Sequence, residues 1–296
     1  MKRPVVLITG ASRGIGKATA LAFARAGWQV AITARTVSEG QTHAFQVPTH
    51  NGQQLPGSLA TTLAELQGAG AEALAIPMDL LDLASVDAAL DAVLARFGRI
   101  DALVNNAVYQ SHRLNAPFLE LDADEWARVL QGYVVAPHHL TKRALKVMLA
   151  QGHGVIVNVS SGAGESDPPL AACDGGWGVA YGAGKAAFSR MAGVIATEFG
   201  GQGIRAYTIN PGVVATETLH ATLGKNGELA RKLGAKAPEL PAAVILWLAT
   251  SEAAASWQKC TIPVADFSLD GDTLHLPSGP ARRSRPDKRE STVCTL

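Results

Sequence analysis

Tyr181 and Lys185 are the two residues of this chain whose types and spacing point most directly to chemistry. Side chains at positions i and i+4 are neighbours on a helix surface, so a helix here would place the phenol beside the ammonium group. A nearby cation favours the phenolate, and we therefore expect Lys185 to lower the pKa of Tyr181 from its ordinary value of about 10. Such a tyrosine donates and accepts protons near neutral pH. The serine pair Ser160-Ser161, about 20 residues upstream, adds hydroxyl groups.

The beginning of the chain has the pattern of a strand, a turn and a helix that bind a nucleotide. The apolar run at 4–9 predicts a strand buried on both faces. A glycine-rich segment at 10–16 follows directly, and small residues up to position 26 predict a helix that ends at Gly27. Glycines permit a tight turn and the close approach of a pyrophosphate, which binds at the helix N-terminus.

Strand-like and helical stretches alternate along the rest of the chain, and this alternation predicts an α/β fold with a doubly wound parallel sheet. The predicted strands lie at 4–9, 28–34, 73–77, 100–104, 154–159, 204–209 and 260–265. The predicted helices lie at 15–26, 58–69, 83–97, 123–149, 181–199, 215–233 and 238–250, the fourth of them bent near Gly132 and Pro137.

These motifs together resemble the classical short-chain dehydrogenase/reductase family. The glycines follow a threonine with the spacing Gly-x-x-x-Gly-x-Gly, and Tyr-x-x-x-Lys lies downstream. The other motifs that carry the resemblance are Asp79 after 73–77, Asn105-Asn106-Ala107 after 100–104, Ser160-Ser161 after 155–159, and Asn210-Pro211-Gly212 with Thr216. Val108 stands where the family usually has a glycine after the asparagine pair. The resemblance extends from about Val5 to about Val264 and implies a single Rossmann-like domain with helices on both faces of the sheet.

The resemblance assigns roles to the residues of the site. It implies that Tyr181 is the general acid, that Lys185 binds the ribose hydroxyls, and that Ser161 rather than Ser160 binds the carbonyl oxygen. The cofactor-binding residues that it implies are Gly10, Ser12, Arg13, Gly14, Ile15, Gly16, Arg35, Asp79, Leu80, Asn106, Ala107, Tyr181, Lys185, Pro211, Gly212, Val214 and Thr216.

The end of the second predicted strand indicates NADP(H) rather than NAD(H). In a dinucleotide fold an acid at this position binds the ribose 2′-hydroxyl, whereas an arginine accommodates a 2′-phosphate. Here Ala34 occupies the acid position, Arg35 follows it, and Arg13 lies in the glycine loop. Arginine binds phosphate bidentately, and a carboxylate would repel it. The alternative is that Arg35 is a solvated loop residue.

The long predicted helix departs from the family pattern. Members of the family usually carry an asparagine there, which helps to hold a water molecule in a proton relay behind the lysine. Tyr133 occupies the matching position in this chain. Three interpretations are open: Tyr133 acts as a hydroxyl contact or is simply packed in the helix, a shifted helix brings Gln131 into place, or the relay is impaired.

We therefore expect an NADP(H)-dependent oxidoreductase that reduces a ketone or a β-ketoacyl group to an alcohol. The alternative is an NADPH-binding regulatory protein or pseudoenzyme with little turnover, which the residue at position 133 would favour. The segments 108–115 and 162–180 and the stretch after Gly212 are expected to form the substrate pocket. Apolar and aromatic residues expected in this lining, which favour an apolar or aromatic ketone, are Tyr109, Leu170, Trp177 and Leu219. Basic residues that would suit an acyl-carrier thioester at an entrance are Arg113, Lys225, Arg231 and Lys232.

Composition and charge indicate a soluble cytoplasmic protein that binds neither nucleic acid nor a membrane. Of the 296 residues 47% are hydrophobic and 17% are charged, and the net charge is +1. The three cysteines lack the spacing of metal ligands and suggest free thiols in a reducing compartment. The first predicted strand starts too early to leave room for a secretory signal, and the apolar run at 242–249 is too short to cross a bilayer.

The chain is expected to form one domain over 1–274, followed by a basic, flexible tail over 275–296. The segments 36–57 and 162–180 look like additions to a compact member of the family. The family commonly pairs its long helix and its Tyr-Lys helix between subunits. A homodimer or homotetramer is therefore expected, with the small residues Ala183, Ala187 and Gly193 either at that interface or against the sheet.

Overall fold

The first half of the structure builds four strands and three helices in alternation. The computed structural model describes residues 3–44, 49, 52, 54–223 and 234–279. The elements of this half are β1 (Val5–Thr9), α1 (Gly14–Arg25), β2 (Gln29–Ala34), α2 (Leu59–Gly68), β3 (Ala73–Pro77), α3 (Leu83–Phe97) and β4 (Ala102–Asn105). The predicted strands and helices of this half are all present, with ends shifted by no more than two residues.

The second half completes the sheet. Its elements are α4 (Ala123–Leu130), α5 (Ala136–Gln151), β5 (Gly154–Val159), α6 (Val179–Phe199), β6 (Ile204–Asn210), α7 (Glu217–Leu223), α8 (Glu239–Thr250), β7 (Thr261–Pro263), β8 (Ser268–Asp270) and β9 (Thr273–His275). The predicted helix at 215–233 is confirmed only as α7, since residues 224–233 lie outside the described part of the chain.

The seven strands β1 to β7 form one parallel sheet in the order β3-β2-β1-β4-β5-β6-β7. The order reverses between β1 and β4, which is the crevice where doubly wound folds bind ligands. The predicted Rossmann-like fold is therefore confirmed. Register brings the strand ends together, because Thr9 of β1 pairs with Thr33 of β2, and Asn105 of β4 with Asn158 of β5.

Helices cover both faces of the sheet, as the continuous apolar strands require. Val6 and Ile8 of β1 pack on one face with residues of α1, α2 and α8, including Phe23. Val5 and Leu7 pack on the other face with residues of α3, α5 and α6. The core therefore consists of two apolar layers that hold the sheet rigid between them.

The predicted bend in the long helix is a turn of π-helix at Gln131–Val135 between α4 and α5. Pro137 lies in the first turn of α5, where a missing N–H costs little. A π turn adds one residue to the helical repeat and is frequent at functional sites. Tyr133 lies within this turn and packs against α6, where its ring contacts Gly184.

Two features near the end of the described chain differ from expectation. The antiparallel pair β8-β9 is not among the predicted elements, and its turn uses Gly271 with φ of +56°. His275, the first residue of the expected tail, pairs with Ser268 in this hairpin. The division into a domain over 1–274 and a tail over 275–296 stays a prediction, because residues 280–296 lie outside the described ranges.

Among the described residues, no helix has both the length and the apolar character needed to cross a membrane.

Asp101 ties three strands together at the edge of the sheet opposite the crevice. Its carboxylate accepts hydrogen bonds from the Val5 N–H at 2.8 Å and from Arg99 at 2.6 Å and 2.8 Å, and it pairs with His153 at 2.7 Å. Burial by itself would raise the pKa of Asp101, but these three partners outweigh burial and lower it.

Replacing Asp101 by Asn is expected to lower the free energy of unfolding at pH 7 by about 2 kcal/mol, because a buried charge partner is lost. Since the folded pKa lies below the unfolded one, the carboxylate stabilises the fold above about pH 4 and loses this effect as pH falls through the folded pKa. Urea unfolding between pH 3 and 7 measures both effects. The control is Asp91→Asn, which removes an exposed ion pair with Arg143. Equal losses in the two variants would contradict the assignment.

Candidate active site

A cavity of about 910 Å³ opens at the carboxyl ends of the strands, at the crevice between β1 and β4. It brings together nearly all of the predicted site residues. Those that line it are Gly10, Ser12, Arg13, Gly14, Ile15, Arg35, Asp79, Leu80, Asn106, Ala107, Ser161, Tyr181, Lys185, Pro211, Gly212, Val214 and Thr216. Gly16 and Tyr133 are not in the lining and lie behind it.

The glycine loop has the shape of a cradle for a pyrophosphate. Gly10 has φ of +70°, and a Cβ there would lie 2.8 Å from the Cα of Ala107. A Cβ on Gly16 would collide with the carbonyl of Gly10. Asn106 holds this turn, since its Nδ2 donates to the carbonyls of Thr9 at 2.9 Å and Gly10 at 3.1 Å. Only glycine fits at these positions, and the loop therefore suits a dinucleotide.

Glu217 of α7 reaches the N-terminus of α1. Its Oε2 accepts a hydrogen bond from the Gly14 N–H at 2.8 Å. Helix N-termini attract anions through their unpaired N–H groups and the helix dipole. A carboxylate of the protein therefore lies where the pyrophosphate of a dinucleotide would bind. Sequence reasoning missed this residue, because the contact joins positions 203 residues apart.

Arg13 contacts the end of the 36–57 segment. Its Nε donates to the carbonyl of Pro56 at 2.8 Å and its Nη2 to that of Gly57 at 2.7 Å. The guanidinium thus fastens the end of the 36–57 segment to the glycine loop. Arg35 and Thr36 line the cavity beyond β2, together with Gln41 and His43 of the same segment. Sequence reasoning treated this segment as an addition to a compact member of the family and did not identify His43.

The catalytic residues predicted from the sequence meet at the end of β5. The Ser161 hydroxyl acts on the Tyr181 phenol and lowers its pKa, and the Ser161 Oγ accepts a hydrogen bond from the Ala163 N–H at 3.3 Å. The Ser160 hydroxyl instead pairs with the hydroxyl of Ser189 and donates to the carbonyl of Lys185 at 3.4 Å. The two serines therefore differ in environment, and Ser161 is the one that faces the tyrosine.

The expectation that Lys185 lowers the pKa of Tyr181 is wrong for the described structure. Burial raises the pKa of Tyr181, and the hydrogen bond with Ser161 opposes this increase only in part. Burial also lowers the pKa of Lys185 from 10.5 to about 7. The Lys185 Nζ donates to the Val159 carbonyl at 2.9 Å, which fixes its position at the end of β5. The sequence argument neglected burial, which disfavours the charged form of both groups.

Tyr133 presents its ring rather than its hydroxyl to the catalytic pair. Its ring packs edge to face on Tyr181, with centroids 6.0 Å apart, and lies 5.5 Å from the Lys185 Nζ. Its hydroxyl is buried and has no hydrogen-bond partner among the described residues. Gln131 does not substitute for an asparagine, because its amide donates to the Leu80 carbonyl at 3.4 Å.

The loop after β4 forms the substrate side of the cavity. Glu125 of α4 is buried and holds this loop, since it accepts hydrogen bonds from the Tyr109 hydroxyl at 3.1 Å and from Ser111. The lining residues on this side are Val108, Tyr109, Gln110, Ser111, His112, Leu114, Asn115 and Leu219. Two predicted pocket residues, Leu170 and Trp177, do not line the cavity, because the 162–180 segment lies outside it.

The basic entrance expected for a thioester is only partly described. Arg113 is turned away from the cavity, since its guanidinium donates to the Glu120 carbonyl and pairs with Asp122 at 3.3 Å. Residues 225, 231 and 232 lie outside the described ranges.

Comparison with known proteins identifies the family. The sequence model of the family described as short chain dehydrogenase matches residues 4–58 and 53–226. A 3-oxoacyl-[acyl-carrier-protein] reductase of Synechocystis sp. is 32% identical over 277 residues, which cover 90% of this chain and 95% of that protein. A D-threitol dehydrogenase of Mycolicibacterium smegmatis is 36% identical over 272 residues, 90% of this chain and 91% of that protein.

Solved structures agree with the sequence comparisons. A short-chain type dehydrogenase/reductase from Mycobacterium marinum superposes with a TM-score of 0.69 at 26% identity, covering 88% of this chain and 94% of that one. A metagenomic short-chain oxidoreductase in complex with NADP gives a TM-score of 0.66 at 26% identity, with coverage of 88% and 97%. The chain belongs to the short-chain dehydrogenase/reductase family, and it is an oxidoreductase of that type.

Replacing Glu217 by Gln is expected to tighten the binding of both NADPH and NADH by about threefold to tenfold. The substitution keeps an acceptor for the Gly14 N–H but removes a negative charge from the place where the pyrophosphate would bind. Titration calorimetry with each dinucleotide measures the effect.

The matched control for this variant is Glu239→Gln, which removes the same charge at an exposed position of α8 outside the cavity and should leave both dissociation constants unchanged. Weaker binding in Glu217→Gln would show that the carboxylate supports the bound state, which contradicts the repulsion argument.

Proposed function

We propose that this protein is an NADPH-dependent carbonyl reductase that converts a ketone or a β-ketoacyl group to an alcohol. One observation supports the proposal most directly: Ser161, Tyr181 and Lys185 line the same cavity as the glycine loop. Arg35 after β2, with Ala34 in place of an acid, supports the preference for a 2′-phosphate. The curated relatives named as a 3-oxoacyl reductase and a threitol dehydrogenase support carbonyl-alcohol chemistry.

The cofactor, when bound, supplies a hydride for the carbonyl carbon. As negative charge develops on the carbonyl oxygen, Tyr181 donates its proton to that oxygen. Ser161 donates a hydrogen bond to the same oxygen and so fixes the orientation of the substrate. A phenol with a raised pKa is protonated at neutral pH and is ready to act as the acid. Lys185 lies at the end of β5, where its Nζ would bind the ribose hydroxyls.

Tyr133 supports this chemistry through its ring. The face of an aromatic ring attracts a cation, and the attraction is stronger where water is excluded. The Lys185 Nζ lies 5.5 Å from the centroids of both the Tyr133 and Phe188 rings. Two rings therefore favour the ammonium form of a lysine whose pKa burial lowers to about 7. We propose that the Tyr133 and Phe188 rings stabilise the charged lysine at the place where other members of the family hold a relay water molecule.

The second candidate function is an NADPH-binding regulatory protein with little turnover. The observation that favours it is the buried Tyr133 hydroxyl, which has no partner in the described structure and so continues no proton relay. A hydroxyl without a partner cannot return a proton to Tyr181 after each cycle. Turnover measurements separate the two functions directly.

We further propose an apolar or aromatic ketone as the substrate class, because Val108, Leu114 and Leu219 line the substrate side. A β-ketoacyl thioester is the second substrate class.

We also propose that the protein is cytoplasmic and forms a homodimer or homotetramer. The assembly is supported by α6, where Ala187 and Val194 are exposed, and a Cβ on Gly193 would contact nothing. These small residues face away from the sheet and would permit close helix pairing.

The Tyr181→Phe variant tests the proposed function. It is expected to lower kcat for NADPH-dependent ketone reduction by at least about 100-fold, because the proton donor is lost, while the NADPH dissociation constant stays unchanged. NADPH oxidation is followed by absorbance with a panel of ketones, diketones and a short β-ketoacyl thioester. The control, Tyr207→Phe, removes a buried phenol in β6 outside the cavity and should keep full activity. Wild-type protein that binds NADPH but reduces none of these compounds would favour the regulatory function.

Tyr133→Phe is expected to keep kcat within about threefold and to raise the free energy of unfolding by about 1 kcal/mol. The ring remains, and a buried hydroxyl without a partner is removed. Tyr133→Leu, which removes the ring, should lower kcat by at least about tenfold. Steady-state kinetics and thermal unfolding of both variants measure these effects. A large loss of kcat in Tyr133→Phe would show that the hydroxyl, and not the ring, is required.

A further inference from the structure

We propose that His43 binds the 2′-phosphate of NADP(H) and, with Arg35, sets the preference for this cofactor over NAD(H). The inference deepens the proposed function above and rests on it. His43 belongs to the 36–57 segment, which looked from the sequence like a surface addition to a compact fold. The structure instead brings part of this segment into the wall of the cavity, beside the end of β2.

His43 lies in the part of the cavity wall beyond the end of β2. In this fold the ribose next to the adenine lies beyond the end of β2, where an acid or an arginine reads its 2′ substituent. The cavity wall at that point consists of Ala34, Arg35, Thr36, Gln41 and His43, with Asp79 across from them after β3. His43 is therefore one of two basic residues that this wall presents beyond β2.

Arg13 contributes to the 36–57 segment's attachment, which leaves Arg35 and His43 as the basic groups beyond β2. Sequence reasoning assigned both Arg13 and Arg35 to the phosphate, but the Arg13 guanidinium donates to the carbonyls of Pro56 and Gly57. Those contacts use the Nε and Nη2 donors to fasten the segment. His43 is the basic group that this part of the wall presents in addition to Arg35.

The part of the segment between β2 and His43 is held by hydrogen bonds. The Gln41 Oε1 accepts a hydrogen bond from the Val37 N–H at 2.7 Å. Glu39 joins this part to the end of the segment and to α2, since it accepts hydrogen bonds from the Gly57 N–H at 2.9 Å and from the Thr61 hydroxyl at 2.6 Å. His43 itself has its Nε2 at 3.3 Å from the Thr36 hydroxyl. The contact with Thr36 thus helps to hold the imidazole in position.

The charges around His43 suit a phosphate. Burial lowers the pKa of His43, and the guanidiniums of Arg35 and Arg13 lower it further, whereas Asp79 acts in the opposite direction. Two cations and one carboxylate thus act on the imidazole. Glu39, the acid of the segment itself, accepts hydrogen bonds from Gly57 and Thr61. A phosphate dianion placed between Arg35 and His43 would relieve the repulsion between them and would favour the imidazolium, which donates from both ring nitrogens.

The test compares ligands that differ only in the 2′-phosphate. Titration calorimetry is done on the full chain with NADPH and NADH, and with 2′,5′-ADP and 5′-AMP. We expect His43→Ala to raise the dissociation constants of NADPH and 2′,5′-ADP by about tenfold, the usual effect of losing a hydrogen bond to a charged group. NADH and 5′-AMP should bind within twofold of wild type. His43→Gln, which retains an N–H donor, should recover part of the loss.

Controls separate the failure of this inference from the failure of the proposed function. Arg35→Ala should also weaken NADPH selectively, and His275→Ala, on the distant hairpin, should change nothing. If wild type binds NADH as tightly as NADPH, the proposed cofactor preference and the role of His43 both fail. If wild type prefers NADPH and His43→Ala keeps the same preference, only the role of His43 fails. If His43→Ala weakens all four ligands equally, the residue contacts the adenosine or supports the segment, and the proposed phosphate contact is overturned.

Discussion

The parallel pairing of β1, β4 and β5 is the constraint on which the site depends. It aligns the ends of three strands, so that the glycine loop, the asparagine turn and the serine pair all begin at one edge of the sheet. Buried amides reinforce the alignment. The Asn105 Nδ2 donates to Thr141 and to Asn158, both at 2.9 Å, and thereby ties β4 to α5 and β5. A slip of one residue between these strands would leave these amides without partners in a dry core, at a cost of about 1–3 kcal/mol each.

The same edge determines the chemistry of the buried lysine. Lys185 comes from α6, but its Nζ is fixed by the carbonyl of Val159, the last residue of β5. Burial lowers its pKa to about 7 and raises that of Tyr181, so that the phenol holds its proton more tightly than the ammonium group does. The aromatic rings of Tyr133 and Phe188 then favour the charged form of the lysine. The acid of the proposed reaction is therefore set by packing as much as by the Tyr-x-x-x-Lys spacing.

Features that are local in sequence were predictable, and those that depend on distant contacts were not. The strand, glycine loop and helix at the N-terminus follow from apolar periodicity and glycine spacing, and the structure agrees with them. The partners of Arg13, the carboxylate of Glu217 at Gly14, and the place of His43 in the cavity wall depend on how segments far apart in sequence meet. The hairpin β8-β9 carried a Gly271-Asp272 turn signal that could have been recognised. The direction of the Tyr181 pKa shift depends on burial, and the spacing of residues in the sequence does not reveal burial.

The most direct measurement of the central claim follows the hydride itself. NADPH carrying deuterium at the transferable position of C4 is mixed with excess protein and a ketone from the panel, and the alcohol is analysed by mass spectrometry after a single turnover. We expect an alcohol one mass unit heavier than that made with unlabelled NADPH, formed by wild type at least about 100-fold faster than by Tyr181→Phe. Bound NADPH whose deuterium appears in no alcohol, for any ketone or β-ketoacyl compound tried, would contradict it.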